Sequence, residues 1–289
     1  MILVTGATGY IGRHLIPKLL ESGFSVFPLG RDLSVLDKIE RPEIVIHLAG
    51  KINISLKQNP EGANLPPVID NEDFWSLYES NVNLTGKILE YCSKNLKIKH
   101  LIFASTQAVY GMPEAETITE ESVCHPLEYY GLTKLFAENL LKIGELEGLP
   151  VSILRIPGIY GGDKKKGAVY SFCKSAIEDG LININIDYPL PFDCIHIDDV
   201  TDAITKCASY YPQNGKTRFF NIATGELCSL DLLAHLISDI VSDCQIISSG
   251  VLQPTIRMQS QKAVMHFGWK AIERKERLSQ LCRDIRNQT

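Results

Sequence analysis

No two cysteines in this sequence stand at the C-x-x-C spacing of a metal or redox site. The eight residues Cys92, Cys124, Cys173, Cys194, Cys207, Cys228, Cys244 and Cys282 are scattered and read as reduced core or surface thiols. A metal site is therefore not expected. Basic charge is not in excess either: 29 Lys and Arg against 34 Asp and Glu give a formal net charge of -5, which offers no stripe for nucleic acid or an anionic membrane. Missing too is an uncharged apolar run near the roughly 20 residues of a membrane span. The chain opens on Ile2-Leu3-Val4 without a basic n-region, an apolar h-region or a cleavage site. The expectation is a cytoplasmic protein with a small-molecule ligand. Internal repeats and low-complexity segments are also lacking.

What the 289 residues do have is an ordinary globular composition, 45% hydrophobic and 22% charged, enough for one large core and a smaller appended lobe. Short Val-, Ile- and Leu-rich runs at 2–5, 25–29, 43–48, 100–104 and 151–156 read as buried strands. Helix-period segments at 10–22, 71–95 and 128–147 lie between them. This repeated βα pattern predicts an α/β fold, a doubly wound parallel sheet. Its boundaries are 1–157 for the main sheet domain and 158–289 for a smaller C-terminal lobe, with segments near 190–225 returning to the main sheet.

The first strand runs into Thr5-Gly6-Ala7-Thr8-Gly9-Tyr10-Ile11-Gly12 and then a helix. In that context Gly6 serves the tight turn, Gly9 lets backbone N–H groups approach a pyrophosphate, and Gly12 lets helix and strand pack closely. After the second strand, where an acidic residue would bind a ribose 2′-hydroxyl, stand Gly30 and Arg31. Arg31, with Arg13 as a second cation, suits a 2′-phosphate, so NADP is preferred and NAD is the alternative. Further on, Ser105-Thr106-Gln107-Ala108-Val109-Tyr110-Gly111 ends a strand, and Tyr130 and Lys134 stand four apart on one face of a helix.

Together these motifs resemble the extended short-chain dehydrogenase/reductase family, NAD(P)-dependent epimerase/dehydratase type. Further marks are His47-Leu48-Ala49-Gly50, Asn81-Val82-Asn83, Arg155, Ile159-Tyr160-Gly161, Lys262-Ala263 and Phe267-Gly268-Trp269. The shortened stretch holding Asp32-Leu33 is similar to the dTDP-4-dehydrorhamnose reductases. The resemblance implies a Rossmann-like fold and a nucleotide-sugar substrate reduced or epimerised at a keto or hydroxyl carbon; the alternative is a non-catalytic dinucleotide-binding subunit or sensor, or a reductase of a smaller carbonyl compound. It implies proton transfer by Tyr130, with Lys134 lowering its pKa and holding the nicotinamide ribose. Thr106 would bond the reacting oxygen, with Ser105 as second candidate. It places Asp32, Leu33 and Asn81 along the adenosine half, and Leu48, Ala49, Gly50 and Pro157 around the rest of the cofactor.

Gln107 and Ala108 supply no acid or base where dehydratases and decarboxylases carry one, leaving reduction and epimerisation. The UDP-galactose-type pattern is altered at Gly158 and Phe192, whereas Arg257 sits where the rhamnose-type reductases place a substrate-binding arginine. Gln107, Lys165 in the Lys164–Lys166 run, and Arg257 are the substrate-contact candidates. A homodimer through the helices near 71–95 and 128–147 is expected from the family.

Overall fold

The computed structural model of the protein describes residues 1–30, 32–39, 42–52, 56–57, 68–69, 74–186, 190–210, 212, 216–242 and 244–288. Six strands form one sheet in the order Val26–Leu29, Ile2–Thr5, Ile44–His47, His100–Thr106, Val151–Ile156, Arg218–Asn221, with every pairing parallel. The four inner strands are buried along their whole length, which is why they read as continuous apolar runs. Arg218–Asn221 pairs with Val151–Ile156, so a segment distant in sequence completes the sheet. The other edge, Val26–Leu29, carries an exposed Pro28.

Strand order reverses beside Ile2–Thr5, which has Val26–Leu29 on one side and Ile44–His47 on the other. A crevice opens at the carboxyl ends of strands at such a switch point. The link between those two flanking strands is one short 3₁₀ turn, Leu33–Lys38, capped by the Asp32 carboxylate on the Ser34 N–H. A longer connection would have room for a further strand.

One face of the sheet is covered by Tyr10–Glu21 and Ile197–Ser209, the other by Leu84–Lys94 and Tyr129–Leu141, giving two apolar layers. Helices Ala168–Glu178, Leu230–Val241 and Arg274–Arg286 enclose a separate core around Phe172, Ile182, Leu233 and Leu278. There Arg274 is 3% exposed and pairs with Asp193 at 2.8 Å. All eight cysteines are free thiols.

Candidate active site

The turn after the first strand is built from glycines for steric reasons. Gly6 has φ +67°, and a Cβ there would lie 2.7 Å from the Ala49 backbone nitrogen. A Cβ at Gly12 would lie 2.4 Å from the Gly6 carbonyl oxygen, so only glycine lets the Tyr10–Glu21 helix start this close to the strand. Thr8 and Gly9 are exposed at the mouth of the turn, and the helix N-terminus behind them is open to an anion. Ile11 lies half-buried behind it.

The opposite wall is positioned by Glu128. Its carboxylate caps the Tyr129–Leu141 helix, accepting from the N–H groups of Tyr130 and Gly131 at 2.8 Å each. Gly131 packs so tightly that a Cβ would sit 2.6 Å from the Ala108 carbonyl oxygen. This draws the helix onto the end of His100–Thr106 and sets Tyr130 beside Thr106. The Thr106 oxygen accepts from Ala108 N–H at 3.2 Å, which fixes its rotamer, and the Thr106 hydroxyl is near enough to Tyr130 to act on its pKa. Burial pushes the Tyr130 phenol up to about 12, against the lowering by the Thr106 bond. One turn on, Lys134 is 5% exposed, with its Nζ 4.0 Å above the Phe103 ring. Burial lowers its pKa to about 7, and Glu138 acts in the opposite direction.

Between the two walls lies a hydrogen-bonded frame centred on Asn81, which occupies a π-helical turn, Glu79–Asn83. Its Oδ1 accepts from Lys51 N–H at 2.8 Å, and its Nδ2 donates to the Lys51 carbonyl and to Thr133 Oγ1, each at 3.0 Å. The loop after Ile44–His47 is thus fastened to the Tyr129–Leu141 helix. A Cβ on exposed Gly50 would meet Asn81 Oδ1 at 2.8 Å and Lys134 Nζ at 4.0 Å, so the lysine lies directly under this glycine. Beneath, buried His47 contacts Thr5 at 2.6 Å and Thr85 at 3.0 Å, while Thr85 donates to the Asn81 carbonyl. Burial, and secondarily Lys134, lowers the His47 pKa to about 3 and keeps it neutral.

Two anticipated side chains are engaged elsewhere. Ser105 faces away from the role of second hydroxyl: it donates to Glu138 at 2.5 Å, and Glu138 is held by Arg155 through Nε at 3.1 Å and Nη2 at 2.7 Å. Arg155 also donates to the Tyr110 hydroxyl, which donates to Asn221. Arg13 pairs with Asp163 at 2.8 Å instead of reaching toward the adenosine end, and Arg13 and then His14 hold that carboxyl at about 2. Tyr10 donates to the Gly161 carbonyl at 2.7 Å, tying the same loop to the phosphate-turn helix.

Arg31 lies outside the described residues. Asp32 and Leu33 stand at the start of the 3₁₀ turn, Leu48 and Ala49 are half-buried beside the glycine turn, and Pro157 is buried after Val151–Ile156. Gln107 follows Thr106 in a short 3₁₀ turn. Lys165 is exposed, whereas Lys164 is half-buried and donates to the Ile159 carbonyl at 2.6 Å. Arg257 lies on Ile256–Met258, and its Nε is buried with no hydrogen-bond partner among the described residues. The Glu138–Arg155 pair, the His47 frame and Asp163 went unassigned in the sequence. Glu138, one helical turn beyond Lys134, was the legible signal.

The family model described as the NAD dependent epimerase/dehydratase family matches residues 2–223. A UDP-glucose 4-epimerase of Azospirillum brasilense is 26% identical over 282 residues, covering 83% of this chain and 77% of its own. A UDP-2-acetamido-2,6-beta-L-arabino-hexul-4-ose reductase of Pseudomonas aeruginosa is 30% identical over 213 residues, covering 71% of this chain and 48% of its own. Among solved structures, a UDP-glucuronic acid 4-epimerase variant of Bacillus cereus, bound to UDP-4-deoxy-4-fluoro-glucuronic acid and NAD, has a TM-score of 0.80. It covers 100% of this chain and 99% of its own at 21% identity, a likeness of fold.

Proposed function

Because the chain belongs to the NAD dependent epimerase/dehydratase family, we propose that it transfers hydride and proton at one keto or hydroxyl carbon of a nucleotide-linked sugar. The reaction is 4-epimerisation or 4-keto reduction, and the cofactor is NAD or NADP. The observation that carries this reading is the set Thr106, Tyr130 and Lys134, gathered at the carboxyl end of the sheet across from the glycine turn. Gln107 and Ala108 beside Thr106 disfavour dehydration.

The residues fit a dinucleotide: Gly6, Gly9 and Gly12 leave a cradle that side chains would fill, and Gly50 leaves a gap above Lys134. Gly6, Thr8, Gly9, Tyr10, Ile11 and Gly12 would hold the pyrophosphate, with Asp32, Leu33 and Asn81 toward the adenosine half. Leu48, Ala49, Gly50, Lys134 and Pro157 would hold the other half. When bound, the nicotinamide supplies the hydride donor or acceptor. Tyr130 exchanges a proton with the substrate oxygen, and Thr106 orients that oxygen. A phenol buried this deeply needs positive charge nearby to ionise, and Lys134, one helical turn on, is assigned to supply it in its protonated form, together with the oxidised nicotinamide when that is bound. With Arg13 committed to Asp163, the case for NADP over NAD rests on Arg31.

Tyr130→Phe should abolish turnover across a panel of nucleotide sugars while NAD(P)H binding, followed by fluorescence, stays within about threefold. Turnover that survives overturns the assignment. In the parent protein, inversion without net NAD(P)H consumption identifies an epimerase, and stoichiometric consumption a reductase. Cofactor binding with no nucleotide sugar turned over removes the substrate class.

The protein assembles as a homodimer in this reading. A surface groove of about 770 Å³ between Leu84–Lys94 and Tyr129–Leu141 is lined by Val82, Gly86, Phe136 and Leu140, and continues to Ile143. Phe136 is 41% exposed and Ile143 49%, apolar area that a second copy of the two helices would cover.

A further inference from the structure

The loop that follows strand Gly158–Tyr160 bridges the C-terminal core and the glycine turn. Its root belongs to that core: Gly158–Tyr160 pairs in parallel with Cys194–His196, and Tyr160 and Cys194 are buried in the cluster around Phe172 and Leu233. Its tip, Gly161 to Lys164, lies against the first turn of the phosphate-turn helix. There the Tyr10 hydroxyl donates to the Gly161 carbonyl at 2.7 Å, Arg13 donates to Asp163 at 2.8 Å, and His14 Nε2 meets the same carboxylate at 3.0 Å. Tyr10, Arg13 and His14 stand three and four residues apart, so a single face of the helix is gripped.

Shape and charge hold the tip in different ways. Gly161 and Gly162 have φ of +89° and +58°, and a Cβ on Gly161 would lie 2.1 Å from the His196 ring, one on Gly162 2.6 Å from the His14 ring. The tip thus fits between two imidazoles at a distance that only glycine permits. Asp163, in contrast, is 55% exposed and Arg13 45%. Arg13 and then His14 keep this carboxyl ionised down to about 2. An exposed ion pair is weakened by water and salt, which suits a fastening that opens and closes more than one that maintains a fold. Lys164 stays with its own strand, donating to the Ile159 carbonyl at 2.6 Å.

The N–H groups of Tyr10 and Ile11, in the open first turn of the helix, are those offered to a pyrophosphate. A loop bonded to the Tyr10 side chain therefore borders the place a pyrophosphate would fill. We propose that Asp163 is a positioning residue: by holding the loop tip on the helix through Arg13 and His14, it slows the departure of a bound dinucleotide without touching it. The inference rests on the reading of the glycine turn as a dinucleotide cradle.

The test is the release rate. The full chain loaded with NADH, and separately with NADPH, is mixed by stopped flow with a large excess of the oxidised form, and the fall in bound fluorescence is followed. Asp163→Asn keeps the side-chain shape and removes the charge. It should release the dinucleotide about fivefold faster, the scale of an exposed charge pair, with the urea midpoint unchanged. Gly162→Ala should also quicken release without altering any charge, because its methyl group pushes the tip away from His14. Arg13→Met should do likewise, and the double variant Arg13→Met with Asp163→Asn should be no faster than Asp163→Asn alone, since both changes break one contact. Additive effects would mean that Arg13 meets the ligand itself and would overturn the inference. Unchanged release in folded Asp163→Asn and Gly162→Ala would overturn it too, as would faster release matched by an equal loss of global stability. A parent protein that binds neither dinucleotide removes the cradle reading itself, and this role of Asp163 with it.

Discussion

At the residue scale, adjacent hydroxyls on one strand are given different work by the pleat. Ser105 and Thr106 point to opposite faces: Ser105 is consumed by Glu138, and Thr106 meets Tyr130. Thr106→Ala should therefore lower kcat about 100-fold, the scale of losing one oxygen-orienting donor. Ser105→Ala should leave kcat within about threefold and cost on the order of 1–2 kcal/mol of stability, since it leaves the buried Glu138 one bond short. Steady-state kinetics with urea unfolding separates the two; equal kinetic damage at both positions would contradict the assignment. The motif alone identified both hydroxyls but could not rank their orientations. Arg13 illustrates a similar limit. Its position one residue past the third glycine is visible in the sequence, while its partner Asp163 stands 150 residues away, a distance no local pattern bridges.

At the scale of elements, the Tyr129–Leu141 helix is fixed by contacts at both ends and in its middle. Glu128 caps its start, Gly131 and Thr133 fit it to the neighbouring turns, and Glu138 ties it to Arg155 on the adjacent strand. Glu138 is 1% exposed and Arg155 4%, so this ion pair lies in the core. Removing one partner strands a buried charge. Arg155→Met alone should destabilise the protein by about 3–5 kcal/mol, while the double change Glu138→Met with Arg155→Met should recover most of that loss. A double-mutant cycle in urea measures it, and simple additivity of the single losses would show that the two charges do not depend on each other. Strand and helix positions were legible because buried parallel strands are apolar throughout and the helices between them are periodic. The extended helix read over 71–95 resolves into Phe74–Tyr78, the π turn Glu79–Asn83 and Leu84–Lys94. No hydropathy period marks such a turn, which is set by the bonds Asn81 makes across to Lys51 and Thr133.

For the whole molecule, the parallel sheet follows from the alternation of elements, and Arg218–Asn221 adds the last strand at one edge. What composition cannot convey is which helical faces stay uncovered in one chain. If Phe136 and Ile143 meet a second copy, the double substitution Phe136→Glu with Ile143→Glu should halve the mass seen by light scattering at micromolar concentration, with circular dichroism unchanged. A parent protein already monomeric there would refute the homodimer.

The shortened link between Val26–Leu29 and Ile44–His47 bears on solubility. It leaves Val26–Leu29 at the rim of the sheet, where unpaired backbone groups invite strands from other molecules. Pro28 has no N–H to offer such a stranger, and a strand only four residues long presents little to zip against. The economy that shortens the nucleotide-binding half thus comes with its own safeguard against fibril-like growth.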